Sequence, residues 1–178
     1  MKESLIRVTA FLHEIGMPVA IRQHAPKKTF LRDVWHDRGV LCYTPNALAG
    51  DVLHEAGHLA VTPSFLRKYL RPGDIDENHE FQKVSNACFE KFRSNPEGPE
   101  IRAIIQSGET EAIAWSYAAA VAAGINPMLP FLHGFDGAGD EVCLALEANS
   151  YLGINGLRAG GMIESVKSFP SMTRWMQR

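Results

Sequence analysis

The segment Gly50–Val61, "GDVLHEAGHLAV", decides how this chain is read. With Thr62-Pro63 closing the run, the sequence predicts a helix over about 47–61. On such a helix His54 and His58, four positions apart, differ by about 40° around the axis, so they project from one side and can share one tetrahedral ion. Glu55 lies about 100° further round from His54. That is where a general base can hold a water without itself ligating the metal. Gly57, beside the small Ala56, is costly inside a helix unless another element packs close, so a close neighbour is expected there. The plainer alternative is a half-buried histidine, a solvated glutamate and a second histidine facing a loop.

Upstream of this helix, "VAIRQ" (19–23) and "GVLCY" (39–43) are β-compatible runs. A mixed polar segment containing Trp35 and His36 separates them, and together they predict a small hairpin or sheet edge. Leu5, Ile6, Val8, Phe11, Leu12 and Ile15 repeat at helical spacing before Gly16 and Pro18, which predicts an amphipathic first helix. Downstream, Phe81, Val84, Cys88, Phe89 and Phe92 mark a helix near 76–93, opened by Asp74, Asp76 and Glu77. A loop, "RSNPEGPE", follows, then a long helix in "ETEAIAWSYAAAVAAG" and one further helix near 140–149. The expected fold is α+β and mainly helical, in one domain spanning 1–178, with the small sheet packed beside the histidine helix.

Composition narrows the function classes. The 178 residues are 46% hydrophobic and 21% charged with a formal charge of −2, which offers no basic field for nucleic acid or an anionic membrane. Cys42, Cys88 and Cys143 stand far apart and form no C-x-x-C pair, so a reducing cytoplasm is the expected setting. Arg7, His13 and Glu14 interrupt the first apolar run, and no signal-peptide core is expected. Ala112–Leu132 carries no formal charge, yet Gly124, Asn126, Pro127 and Pro130 divide it, and a buried core helix with a kinked continuation is the expectation.

A catalytic zinc usually takes three protein ligands and keeps one position for water. An H-E-x-x-H helix followed by a helix carrying E-x-x-A-x-x-[aromatic]-[small] resembles the gluzincin type of zinc metallopeptidase, particularly the compact ImmA/IrrE-like group. Glu109, Ala112, Trp115 and Ser116 match that second element. The resemblance covers roughly 38–61 and 108–120. It implies a zincin-like fold, Zn2+ held by His54, His58 and Glu109, Glu55 as catalytic base, and "GVLCYTP" as the substrate-facing edge strand. The chain departs from the group in its long inter-helix segment and from thermolysin-like members in Ile113, which stands where they carry a carboxylate. Asp51 lies on the side of the helix that could support a ligand, or is a solvated first-turn carboxylate. Glu111 is the alternative third ligand; it lies about 200° round from Glu109, so the two cannot face one metal. The E-x-x-A spacing selects Glu109, which leaves Glu111 solvated or paired with a basic side chain.

For stabilising an oxyanion the candidates are His133, Tyr117, Tyr151 and His79, with His133 in "FLHGFDG" first because it follows the ligand helix beside a Gly-rich turn. Its plainer reading is a surface or capping histidine. "DIDEN" lacks the later positions of a calcium loop, and "GFDGAGDE" lacks the lysine of a phosphate loop; they are expected to be a helix start and a turn. The sequence thus points to a zinc-dependent peptidase acting on a peptide or protein substrate. The alternatives are a non-catalytic zinc-stabilised interaction or regulatory module, and a metal-free helical binding domain.

Overall fold

The computed structural model describes residues 2–72, 79–131 and 139–178. Among these the chain forms α1 (Glu3–Glu14), β1 (Val19–Ile21), β2 (Val34–Asp37), β3 (Val40–Tyr43), α2 (Ala49–Val61), α3 (Ser64–Arg67), α4 (His79–Phe92), α5 (Pro99–Ile105), α6 (Glu109–Ala122), α7 (Gly139–Glu147) and α8 (Leu152–Ala159). The architecture is α+β and mainly helical with one three-stranded sheet, and no described helix is long and apolar enough to cross a membrane. The start predicted for α4 at Asp74, Asp76 and Glu77 lies outside the described residues.

The sheet corrects two expectations. Its order is β1-β3-β2, with β1 parallel to β3 and β2 antiparallel to it. The hairpin is therefore β2–β3, joined by Arg38 and Gly39 at φ +50° and +84°, a two-residue turn of the kind whose twist matches its strands. "VAIRQ" and "GVLCY" do pair, but in parallel. Residues 39–43 also form no sheet edge, because β3 is flanked on both sides and β2 takes the outer position. β2 escaped the pattern reading because Val34, Trp35 and His36 are all buried, which removes the in-out alternation of a half-exposed strand. Facing positions share a side, so Val34, His36, Leu41 and Tyr43 lie on one face and Trp35 and Cys42 on the other.

Two helices form the centre. α2 is buried along nearly its whole length, and α6 is buried continuously from Glu111 to Ala120, as expected of a helix without a polar face. The uncharged stretch that begins at Ala112 is thus an interior helix ending at Ala122. The α2–α6 pair makes the most extensive helix contact, and its closeness depends on Gly57. A Cβ there would lie 2.5 Å from the Ala112 carbonyl oxygen and 2.8 Å from Ser116 Oγ. Ser116 Oγ itself sits 3.0 Å from the Leu53 carbonyl and 2.7 Å from that of Ala112, bridging the two helices.

The sequence predicts one helix beyond Asn126, whereas α7 and α8 both form. In "LGINGL" the two glycines read as loop residues, but they are where α8 meets the first turn of α6. A side chain at Gly156 would collide with the Glu111 carboxylate, and one at Gly153 with the Thr110 carbonyl. The start of α6 is thus held between α2 and α8.

Candidate metal centre

The crossing of α2 and α6 brings three donors together. His54 Nε2 and His58 Nε2 are 3.1 Å apart. Glu109, the first residue of α6, places Oε2 2.9 Å from His58 Nε2 and Oε1 3.6 Å from His54 Nε2. Zinc bonds of about 2.0–2.1 Å in a tetrahedron separate neighbouring donors by about 3.3 Å, so this triangle fits a tetrahedral ion. The donor set is two imidazoles and one carboxylate, and all three donor atoms lie within 4.8 Å of one another. Glu109 at a helix start is also favoured by the dipole, which supports its negative charge where the histidines need it.

Electrostatics favour the ligating forms of His54 and Glu109. Burial, reinforced by neighbouring His58, pushes the His54 pKa down to about 4 against the partial opposition of Glu109 and Glu55. The ring is therefore neutral at neutral pH, the form in which a histidine ligates. Burial pushes the Glu109 carboxyl up, but the hydrogen bond from His58 and the histidines' charges outweigh it, and the net shift is downward. Glu109 remains half exposed while His54 is 1% exposed, so the cluster opens toward the glutamate side.

Glu55 does not join the donor triangle. It is 7% exposed, and its nearest described partner is a residue the sequence left in a polar linker. His36, on the α2-facing side of β2 and 2% exposed, places Nε2 2.8 Å from the Glu55 carbonyl and Nδ1 3.3 Å from Glu55 Oε2. Burial is the largest influence on His36 and lowers its pKa, while the Glu55 charge and carbonyl bond pull the other way. No local motif marks His36; the D-R-G step before β3 is the signal that would have placed it in a hairpin.

The remaining candidates separate cleanly. Glu111, expected to be solvated or ion-paired, is 9% exposed and accepts a 2.9 Å hydrogen bond from Thr110 Oγ1. Its carboxylate packs against α8, away from the histidines, as its angular distance from Glu109 requires. Asp51 is buried, not solvated. Tyr117 lies within the core, stacked on Phe169 at 5.7 Å. Tyr151, which immediately precedes α8, feels Glu109: burial first, then the charges of Glu109 and Glu111, push its phenol up to about 12, so it stays protonated and able to donate. His133 lies outside the described residues, as does the side chain of His79. Compared with protein-family models, curated proteins and solved structures, the chain matches none of them.

Proposed function

We infer that the chain is a zinc-dependent peptidase of gluzincin type, with a zincin-like fold. The observation that carries this reading is the convergence of His54, His58 and Glu109 from two helices beside a buried glutamate that does not ligate. His54, His58 and Glu109 would hold the ion, which when bound supplies Lewis acidity to polarise a scissile carbonyl and acidify water. Glu55 accepts the proton of the attacking water and returns it to the leaving amine. Tyr151, kept protonated by burial and the Glu109 charge, is the described phenol we assign as candidate donor to a developing oxyanion.

The sheet supports an extended substrate on β2 in place of 39–43. The two-residue turn makes Asp37 and Val40 a hydrogen-bonded pair, and the Thr44 N–H donates to the Asp33 carbonyl at 2.9 Å. Asp33, Trp35 and Asp37 therefore spend their backbone groups on β3, while Val34 and His36 direct theirs to the outer edge. No strand among the described residues pairs with that edge. A peptide added there gains main-chain hydrogen bonds.

A second reading, a zinc-stabilised interaction module, is favoured by the tie between Glu55 and His36, which latches the hairpin to α2 whether or not chemistry follows. Elemental analysis of protein purified without tag or chelator, followed by peptide cleavage with wild type and Glu55→Gln, separates the readings. The peptidase reading requires one zinc per chain in both proteins and cleavage only in the wild type. Zinc-loaded wild type that cuts no member of a broad peptide library supports the module.

A further inference from the structure

Both ring nitrogens of a buried histidine are spent on a single residue, Glu55, and the chemistry of the two contacts differs. A carbonyl oxygen can only accept, so the 2.8 Å contact to the Glu55 carbonyl fixes a proton on His36 Nε2. At the other end of the ring Nδ1 faces Glu55 Oε2 at 3.3 Å. With Nε2–H committed to the carbonyl, Nδ1 pairs with Oε2 through the ring's second proton, as imidazolium against carboxylate, a charge state that leaves Glu55 ionised and able to act as a base. The helix carbonyl sets the plane of the ring, and the ring sets one carboxylate oxygen.

We propose that His36 is a positioning residue for Glu55, holding Oε2 at Nδ1 while anchored to the helix backbone through Nε2, so that Oε1 is the oxygen left to exchange protons with water and leaving group. This rests on the peptidase reading of Glu55. A glutamate side chain has three rotatable torsions, and fixing its carboxylate removes the orientational freedom that a general base must otherwise lose in the transition state. The anchoring is rigid because His36 belongs to a strand whose neighbour β3 is paired on both sides. His36 also presents its backbone at the outer edge of β2, so the residue that holds the base lies directly beside an extended chain bound there.

The test uses zinc-loaded full-length protein, wild type and the variants His36→Phe, His36→Gln and Glu55→Gln. In imidazole 1H–15N correlation spectra of histidine-labelled protein, the His36 Nδ1 resonance should move in Glu55→Gln while zinc content stays constant. An unmoved resonance overturns the proposed hold without reference to activity. In cleavage assays His36→Phe should lower kcat about 10–100-fold with KM little changed, as loss of an orienting partner does. His36→Gln, whose amide can still donate to a carboxylate, should recover part of that loss, and it replaces His36→Phe if the latter fails to fold. Full kcat in a folded, zinc-loaded variant lacking the imidazole overturns catalytic positioning. Wild type that holds zinc and cleaves nothing overturns the peptidase reading instead, and the two failures are thereby distinguished.

Discussion

At the scale of single residues, the cluster makes its members distinguishable by metal content. Replacing His54, His58 or Glu109 by Ala removes one of three donors and should lower bound zinc sharply, whereas Glu111→Ala should retain it, because Glu111 faces α8. Zinc lost in Glu111→Ala but kept in Glu109→Ala would falsify the ligand assignment. Protonation gives an independent signature in the metal-free protein. The His54 pKa is lowered from 6.5 to about 4 in the folded chain. Between those values the unfolded chain binds more protons, so stability is highest above pH 6.5, declines as pH falls toward 4 and levels off below. At about 1.4 kcal/mol per unit the loss is roughly 3 kcal/mol. Urea denaturation from pH 7 to 4 should show this slope in wild type and a shallower one in His54→Gln.

At the scale of elements, the geometry depends on how closely two helices approach. Gly57→Ala places a methyl against the Ala112 carbonyl, a backbone atom that cannot rotate away, so α6 must shift off α2. The expected cost is about 1–3 kcal/mol in stability, with weaker zinc binding because Glu109 moves with α6. Ala56→Gly on the same helix should cost about 1 kcal/mol and leave zinc affinity nearly unchanged. Equal loss of zinc affinity in the two variants would show that the close contact does not set the ligand spacing. These elements also show what could be read from the chain alone. His54 and His58 share a side by helical periodicity, Glu109 and Glu111 are separated by the same rule, and Gly57 announces its neighbour by its cost. His36 could not be found this way, because its contact with Glu55 is created by a tertiary hairpin packing on a helix. α8 was missed for a related reason: its glycines are loop residues by propensity and become helical because α6 occupies the space their side chains would fill.

At the scale of the whole molecule, the donors come from the two innermost helices, so whatever binds them must be felt by the entire fold. The C-terminal segment reinforces that pair from behind. The Trp115 indole donates to the Trp175 carbonyl at 2.9 Å, the Trp175 ring stacks edge-on against Phe11 at 4.8 Å, and the Gln177 N–H donates to the Ala60 carbonyl at 2.9 Å. Arg67 also reaches the Gln177 carbonyl. The C-terminal segment thus ties α1, α2, α3 and α6 together, while His54, His58 and Glu109 join α2 to α6 directly. An ion bound by those three cross-links the pair only in the folded state, since the unfolded chain separates His58 from Glu109 by 51 residues. Zinc at a thousandfold excess over its Kd should therefore stabilise the protein by about 4 kcal/mol. For a chain of this size that raises Tm by roughly 8–16 °C. The shift should vanish in His58→Ala and in chelator and persist in Glu55→Gln, which separates ligand from base without any substrate. A scanning-calorimetry trace unmoved by zinc in the wild type would mean that the three side chains meet without holding a metal, and Glu55 would then have no ion beside which to act as a base.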